Sequence, residues 1–420
     1  MLYKSFSTTA TGISHAKHGK GCEDFSFHYP PYQHISASPL ALAVVADGHG
    51  DDNCFRSAKG AEFAVTVAKD AIIEFTDRLR PRLLQIIKLR EWPSREIFER
   101  YIRDMVKHII AEWHGKVEQD YTDNPIKDGE LANVGEKYRK RYVAGQNLHH
   151  AYGTTLIAVV ITKEYWLGVH IGDGRFTALY PDGRFAQPVP WDDRCYLNVT
   201  TSICDDDAFE RARTYYAPAS NKLPAAVFLC SDGVDDNYPV EENEKHLYKL
   251  YRTIALTFVD DGFDSTCGQL KDLANSFATN GKGDDTSIAG IIDLEAVKAI
   301  APQLRKQVEA DDQKAAAEKA EIAARVEKVR LATEKAAAER VKATKAEATK
   351  PAAEKRAVEQ PIRGRPSEKE ITAESVRKSI AIKNARAVIE AYEKHKAPSS
   401  GSDPEIYGVF VTNEDKTHER

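Results

Sequence analysis

Short motifs that each contain an aspartate or a glutamate recur along the chain, and most of them follow an apolar run. They are Glu23-Asp24, Asp47-Gly48-His49-Gly50, Gly172-Asp173-Gly174-Arg175, Ser231-Asp232-Gly233 and Asp284-Asp285. A buried strand that leads into a loop produces this pattern. Carboxylates gathered from several strand ends suit hard divalent cations, which take oxygen ligands and retain bound waters. The sequence therefore predicts a site for divalent cations.

Such a site has a well-defined chemistry. Two divalent ions held about 3.5–4 Å apart can share a water molecule and lower its pKa toward about 7. The resulting hydroxide can attack a phosphate monoester in line, while the ions and neighbouring donors stabilise charge on the phosphoryl oxygens. Because uncatalysed phosphate-monoester hydrolysis is among the slowest reactions known, a strong electrostatic site is needed.

The order and wording of the motifs resemble the type 2C (PPM) family of metal-dependent protein serine/threonine phosphatases. The resemblance covers roughly residues 5–293. Asp47–Gly50 reproduces the family's Asp-Gly-His-Gly, and 152–155 fits its Gly-Ser/Thr-Thr strand. Gly174 stands where the family has Ser, and 284–287 fits its last motif, Asp-Asn-x-Ser/Thr. Any one motif alone is ordinary turn chemistry, but all of them in this order indicate the family.

The resemblance implies two Mg²⁺ or Mn²⁺ ions, with a weaker third site in some family members. The metal ligands that it implies are Glu23, Asp24, Asp47, Gly48 through its carbonyl, Asp173, Asp232 and Asp284. Asp47 would bridge the two ions, and Asp24 would act mainly through water. Asp173 would complete the third site with Asp232. Asp284 and Asp285 compete for one role, and counting back from Ser287 favours Asp284 as the ligand.

The implied catalytic residues are Asp47 and His49. His49 would be the general acid that protonates the departing serine or threonine oxygen, a role that suits an imidazole near neutral pH. The alternative is a loop histidine that transfers no proton.

One position departs from the common family pattern. Many members carry an Arg that grips the substrate phosphate four residues before the first-motif Glu, and here that position is Gly19. The segment Gly12-Ile13-Ser14-His15 resembles a bacterial branch of the family that lacks the Arg. His15, Lys17 or Lys20 would supply the phosphate contact instead, although a Lys is less directional than a guanidinium. The alternative is that these are solvated loop residues.

Composition fits a protein that works in the cytoplasm. The net charge of −5 gives no reason to expect nucleic acid or a membrane surface as a partner. The six Cys form no C-x-x-C pair and are predicted to be reduced thiols rather than a disulfide framework. The N-terminus lacks an apolar region of signal-peptide length, and no window resembles a membrane span. The expected partners are a phosphorylated protein substrate and a cognate Ser/Thr kinase.

The elements that must position these residues follow from apolar patterning. Strands are predicted at 40–46, 154–162, 165–171, 225–230 and 286–292, mostly as continuous apolar runs that require cover on both faces. A helical insert is predicted at about 58–150, in which Pro81 and Pro93 separate helical stretches, and further helices lie within 241–279. This pattern predicts an α+β protein with a four-layer α/β/β/α sandwich, which is also the type 2C fold. A variable flap is expected at about 188–218, where its acidic and aromatic residues could contact the substrate.

The C-terminal part has a different composition. Residues 294–350 are dominated by Ala, Lys, Glu and Arg and predict a long solvated helix that pairs at most weakly. The phosphatase domain is predicted to span 1–293. After it and the long helix, we expect a linker at 351–367, a second helix at 368–396 and a mobile tail at 397–420. The tail would bind a partner or serve regulation, and the alternative is a charged, partly disordered appendage.

Two other functions remain open from the sequence. A pseudophosphatase would keep the fold as a binding or scaffold module, which the missing Arg and Gly174 favour mildly. A small-molecule phosphomonoesterase would use the same sandwich for metabolites.

Overall fold

Two antiparallel five-stranded sheets form the centre of the computed structural model, which describes residues 3–30, 40–88, 95–195, 199–219 and 223–348. In chain order the strands are β1 (Tyr3–Ala10), β2 (Phe25–Tyr29), β3 (Leu40–Ala46), β4 (Leu156–Thr162), β5 (Tyr165–Ile171), β6 (Arg175–Leu179), β7 (Phe185–Ala186), β8 (Arg213–Pro218), β9 (Ala226–Cys230) and β10 (Thr286–Asp293). One sheet has the order β1-β10-β9-β6-β7 and the other has the order β2-β3-β4-β5-β8. All neighbouring strands pair antiparallel.

Helices cover the outer faces of both sheets. In chain order they are α1 (Ile13–Lys17), α2 (Ser57–Lys88), α3 (Arg95–Asp123), α4 (Glu136–Val143), α5 (Ala208–Arg211), α6 (Asp232–Asp235), α7 (Asn243–Asp260), α8 (Phe263–Asn280) and α9 (Leu294–Ala348). Pro81, which was expected to separate two helical stretches, lies inside α2. A proline removes one backbone hydrogen bond of a helix, and here the helix continues through it. Pro93 lies outside the described residues.

The strand β3 shows why the sandwich has four layers. Leu42 and Val44 point to the core shared with α2 and α3, whereas Ala43 and Val45 point to the core between the sheets. Successive side chains of a strand face opposite sides, so a strand that is apolar throughout needs cover on both faces. A third core lies between the other sheet and the helices α7 and α8. The predicted α/β/β/α sandwich is confirmed.

The described chain divides after Val308 into two compact units. The first unit contains both sheets and the start of α9, whose Val297, Ile300 and Leu304 are buried in the third core. The second unit begins at Glu309, and its described part is the rest of α9, with ion pairs such as Arg330 with Glu327 and Glu334. The linker, second helix and tail predicted from 351 onward lie outside the described residues. No helix of the described chain has the length and apolar character that crossing a membrane requires.

Candidate active site

Carboxylates from both sheets meet around Asp47, which directly follows β3. Burial raises the pKa of the Asp47 carboxyl well above its usual value, and the neighbouring negative charges of Asp24, Asp232 and Asp173 raise it further. Burial likewise raises the pKa of Asp232, with further contributions from Asp173 and Asp284. The structure therefore brings together acidic residues from all five sequence motifs.

Two consecutive threonines hold the loop that carries Asp47. The Asp47 N–H donates to Thr155 Oγ1 at 3.0 Å, and its carbonyl accepts from the Thr154 hydroxyl and the Thr155 N–H, each at 2.8 Å. Gly48 then forms a bridge with Thr154. The threonines of the Gly-Ser/Thr-Thr motif predicted at 152–155 thus hold the backbone of the predicted bridging ligand in place.

The first and second motifs are joined by a close backbone approach. The Gly48 N–H donates to the Glu23 carbonyl at 3.1 Å. A Cβ at position 48 would lie 2.5 Å from that carbonyl oxygen, so only glycine fits. This contact places Glu23 beside the loop that contains Asp47.

Asp24 connects the first motif to the fourth, Ser231-Asp232-Gly233. Its Oδ2 accepts from the Ser231 hydroxyl at 2.7 Å, and Ser231 Oγ accepts from the Ser287 N–H at 2.9 Å. Burial raises the pKa of Asp24 to about 7, although the Ser231 hydroxyl opposes the shift. Ser231 was assigned no role from the sequence, although its place beside Asp232 in the fourth motif was the available signal.

The structure gives Asp284 and Asp285 different environments. Asp285 is 3% exposed and accepts from the Gly12 N–H at 2.6 Å, the Glu23 N–H at 2.5 Å and His15 Nδ1 at 2.9 Å. The Asp284 side chain is about half exposed. Asp285 therefore fixes the backbone of the first motif, and Asp284 keeps a carboxylate oxygen accessible, in keeping with its prediction as the ligand.

The three residues predicted to contact phosphate occupy different places. His15 lies among the carboxylates, with Nε2 3.7 Å from both Glu23 Oε2 and Asp284 Oδ1. Lys20 donates to the Gly50 carbonyl at 3.1 Å and lies 3.6 Å from Asp52. Lys17 is exposed on α1. Only His15 is brought into the acidic cluster.

Packing explains the glycine at the position where the family has serine. A Cβ on Gly174 would lie 2.5 Å from the Cys230 carbonyl oxygen and 2.8 Å from Ile157 Cδ1. Arg175, the next residue, donates to Asp235 at 2.6 Å and stacks 4.0 Å from the Trp191 ring centre. Gly174 is thus required by the close approach of β9.

Asp235 and Asp236 are acidic neighbours that sequence reasoning missed. Burial raises the pKa of Asp235 to about 7 against the opposing charge of Arg175, and burial also raises the pKa of Asp236. Both follow Asp232 by one helical turn, and this i, i+3, i+4 spacing was the signal that could have found them.

His49 lies on the side of the Asp47 loop that faces Gly153. Its N–H donates to the Gly153 carbonyl at 3.0 Å. Burial lowers the pKa of its imidazole to about 4, with a smaller effect from His150. The side chain is therefore neutral at pH 7 in this state, so the predicted proton donor would need a nearby anion to favour its protonated form.

Buried carboxylate oxygens that lack a hydrogen bond suit the binding of divalent cations. Among the described residues, Glu23 Oε2 and Asp24 Oδ1 are buried and accept no hydrogen bond. Burying carboxylate oxygens without a partner is costly, and a cation would remove that cost. Within the same described ranges, no three His, Cys, Asp or Glu side chains already surround a common point as a metal site. A bound ion would therefore also be ligated by backbone carbonyls or water, or the side chains would move slightly to reach it.

Comparison with known protein families identifies the family to which the first four motifs belong. The sequence model of the family described as protein phosphatase 2C matches residues 11–265, more than half of the chain. The match includes Glu23, Asp47, Asp173 and Asp232 and ends before Asp284. None of the curated proteins compared with the chain matches it significantly.

Several solved structures resemble the chain at low sequence identity. The catalytic domain of the serine/threonine phosphatase PstP in complex with two manganese ions is 16% identical, with 70% of this chain and 99% of that chain covered and a TM-score of 0.38. Stp1 from Staphylococcus aureus is 15% identical, with coverages of 70% and 95% and a TM-score of 0.38. PppA, a regulatory component of the type VI secretion system in Pseudomonas aeruginosa, is 16% identical, with coverages of 70% and 98% and a TM-score of 0.41.

Proposed function

Because this chain belongs to the protein phosphatase 2C family, we propose that it is an active, metal-dependent phosphatase of phosphoserine and phosphothreonine in proteins. Its substrate would be a phosphorylated protein, a cognate Ser/Thr kinase would supply that substrate, and the cytoplasm would be the place of action. The observation that carries the proposal is the group of buried carboxylates around Asp47, two of which have oxygens without a hydrogen bond.

The residues of this group would hold two divalent cations, Mg²⁺ or Mn²⁺. Asp47 would bridge them, Asp232 and Asp284 would hold one, and Glu23 with the Gly48 carbonyl would hold the other. Asp24 would act through water, and Asp173 would support a weaker third site. The bound ions would supply an activated water molecule and positive charge for the phosphoryl oxygens.

His49 would hold a proton for the departing serine or threonine oxygen. The pKa of its imidazole is lowered to about 4 by burial, and a phosphate dianion beside the ring would raise it. An alkoxide is a poor leaving group, so a positioned proton donor would contribute about 10²–10⁴-fold to the rate. His49 would therefore be charged mainly when substrate is bound.

The flap region would contact the protein around the phosphorylated residue. Trp191 is 40% exposed and stacks on Arg175, two residues after Asp173. The buried carboxylate of the next residue, Asp192, pairs with Arg194 at 2.8 Å. An exposed aromatic ring on an anchored loop is suited to binding peptide flanks.

Phosphate release by purified full-length protein tests the proposal. We expect a phosphothreonine peptide to be hydrolysed with Mn²⁺ and not without it, and Asp47→Asn to abolish release. Asp70→Asn, at an exposed position of α2, is the matched control and should retain full activity.

Two results would point to the alternatives. A folded protein that releases no phosphate at any Mn²⁺ concentration would favour a pseudophosphatase scaffold. Faster release from small metabolite phosphates than from the phosphopeptide would favour a small-molecule phosphomonoesterase.

A further inference from the structure

His15 has the surroundings of a metal-ligating histidine. Its Nδ1 lies 2.9 Å from the buried carboxylate of Asp285, which fixes the orientation of the ring. Metal-ligating histidines almost always use their second nitrogen in this way, since a carboxylate partner orients the ring and raises its basicity. Nδ1 is thereby engaged, and Nε2 is left as the nitrogen that faces the cluster.

The nitrogen faces a carboxylate oxygen that has no other partner. Glu23 is 8% exposed, and its Oε2 accepts no hydrogen bond from the described residues. His15 Nε2 lies 3.7 Å from this oxygen. The two atoms also face the same space beside Gly50, because a Cβ placed there would lie 3.5 Å from Nε2 and 3.6 Å from Oε2.

The separation of 3.7 Å suits two ligands of one ion better than a hydrogen bond. A nitrogen–oxygen hydrogen bond has its partners about 2.7–3.2 Å apart. Two donors that each bind an ion at about 2.0–2.2 Å are roughly 3–3.5 Å apart, so a small movement of either side chain would close the site.

We propose that His15 Nε2 is a nitrogen ligand of the cation held by Glu23. The inference rests on the proposed function, since it concerns one of the two proposed ions. It replaces the expectation that His15 contacts the substrate phosphate. An imidazole ligand favours transition-metal ions, so the site would prefer Mn²⁺ over Mg²⁺ more strongly than an all-oxygen site would.

Pulsed electron paramagnetic resonance of the full-length protein loaded with Mn²⁺ tests this assignment. We expect the wild-type spectrum to show coupling of Mn²⁺ to a directly bound ¹⁴N nucleus. His15→Gln should remove the coupling and weaken Mn²⁺ binding about 10-fold or more, with a smaller effect on Mg²⁺. The matched control is His18→Gln, because His18 is exposed on the same turn and its ring Nδ1 lies 2.7 Å from the Ser14 carbonyl oxygen. That variant should keep the coupling.

Three results would overturn the assignment. If wild-type protein binds Mn²⁺ without nitrogen coupling, the assignment of His15 as a ligand is wrong, and the proposed metal dependence remains intact. Coupling that persists in His15→Gln would assign the nitrogen to another residue. Wild-type protein that binds no Mn²⁺ would overturn both this assignment and the proposed function. A wild-type spectrum without nitrogen coupling overturns the assignment even if the variant does not fold.

Discussion

At the scale of single residues, burial controls the charge state of the groups on which the account depends. Burial raises the pKa of both Asp47 and Asp232 and so favours their neutral forms, and the negative charge of Asp173 raises both further. His49 is drawn the same way, since burial lowers the pKa of its imidazole to about 4. Cations and a phosphate dianion would reverse these tendencies, because each supplies the charge that the buried group lacks.

The role of His49 predicts an effect that depends on the leaving group. We expect His49→Gln to lower hydrolysis of a phosphothreonine peptide by about 100-fold or more, because an alkoxide needs a proton as it departs. Hydrolysis of p-nitrophenyl phosphate should fall far less, because nitrophenolate leaves without one. Steady-state rates on the two substrates check this, and equal losses on both would contradict the role.

Gly174 predicts that restoring the family's residue is harmful. Gly174→Ser would place a Cβ 2.5 Å from a backbone oxygen of β9, and such overpacking typically costs 1–3 kcal/mol. Urea denaturation should show this loss in the free energy of unfolding. Gly268→Ser, at an exposed helix position with open space around it, is the control. A Gly174→Ser variant as stable as wild type would show that the packing reason is wrong.

Single residues could be predicted where a motif names them and not where a fold partner defines them. Asp47 and His49 were predicted from the Asp-Gly-His-Gly motif alone. The clamp by Thr154 and Thr155, and the three donors to Asp285, join residues that are more than 100 positions apart. Only the pairing of the strands brings those partners together. The ligand roles themselves stay predictions.

At the scale of elements, β5 carries a titratable group that is sealed inside the protein. His170 is 3% exposed, and neither ring nitrogen forms a hydrogen bond with the described residues. Burial lowers the pKa of His170 well below its usual value, and the charges of Arg213 and Arg175 lower it further against the opposing charge of Asp192. The folded protein therefore keeps this imidazole neutral.

Because His170 is buried in its neutral form, we expect the protein to lose stability in acid. Below pH 6.5 the unfolded chain takes up a proton that the folded chain excludes, so the free energy of unfolding falls as the pH falls. Between pH 7.5 and 5.5 the contribution of one such group is about 1.4 kcal/mol. Urea denaturation at pH 7.5 and pH 5.5 gives the fall in the free energy of unfolding between the two. This fall should be smaller in His170→Leu than in wild type by about 1.4 kcal/mol. Equal drops in both proteins would contradict the prediction.

Elements that are apolar throughout could be predicted, and those with polar faces could not. The strands β3, β4, β5, β9 and β10 were found because both of their faces are buried. Sequence reasoning did not find β1, β2, β7 or β8, whose residues are polar, half-buried or few. It also missed β6, although four of its five residues are buried. Tertiary pairing, rather than local preference, makes these segments strands.

At the scale of the whole molecule, the division after Val308 predicts where the chain can be cut. A chain ending at 308 should unfold at nearly the same temperature as the full chain. A chain ending at 293 should be less stable by at least about 4 kcal/mol, since it loses the buried Val297, Ile300 and Leu304. Thermal and urea unfolding of the two chains check this. Comparable destabilisation of both would contradict the division.

The central claim is that the carboxylates around Asp47 bind divalent cations and that hydrolysis depends on those cations. The most direct measurement follows Mn²⁺ occupancy and phosphate release from a phosphothreonine peptide in one titration of chelator-treated protein. We predict two ions bound per chain, release that rises with occupancy, and loss of both in Asp47→Asn. Release that is independent of Mn²⁺, or that Asp47→Asn retains, would contradict the account.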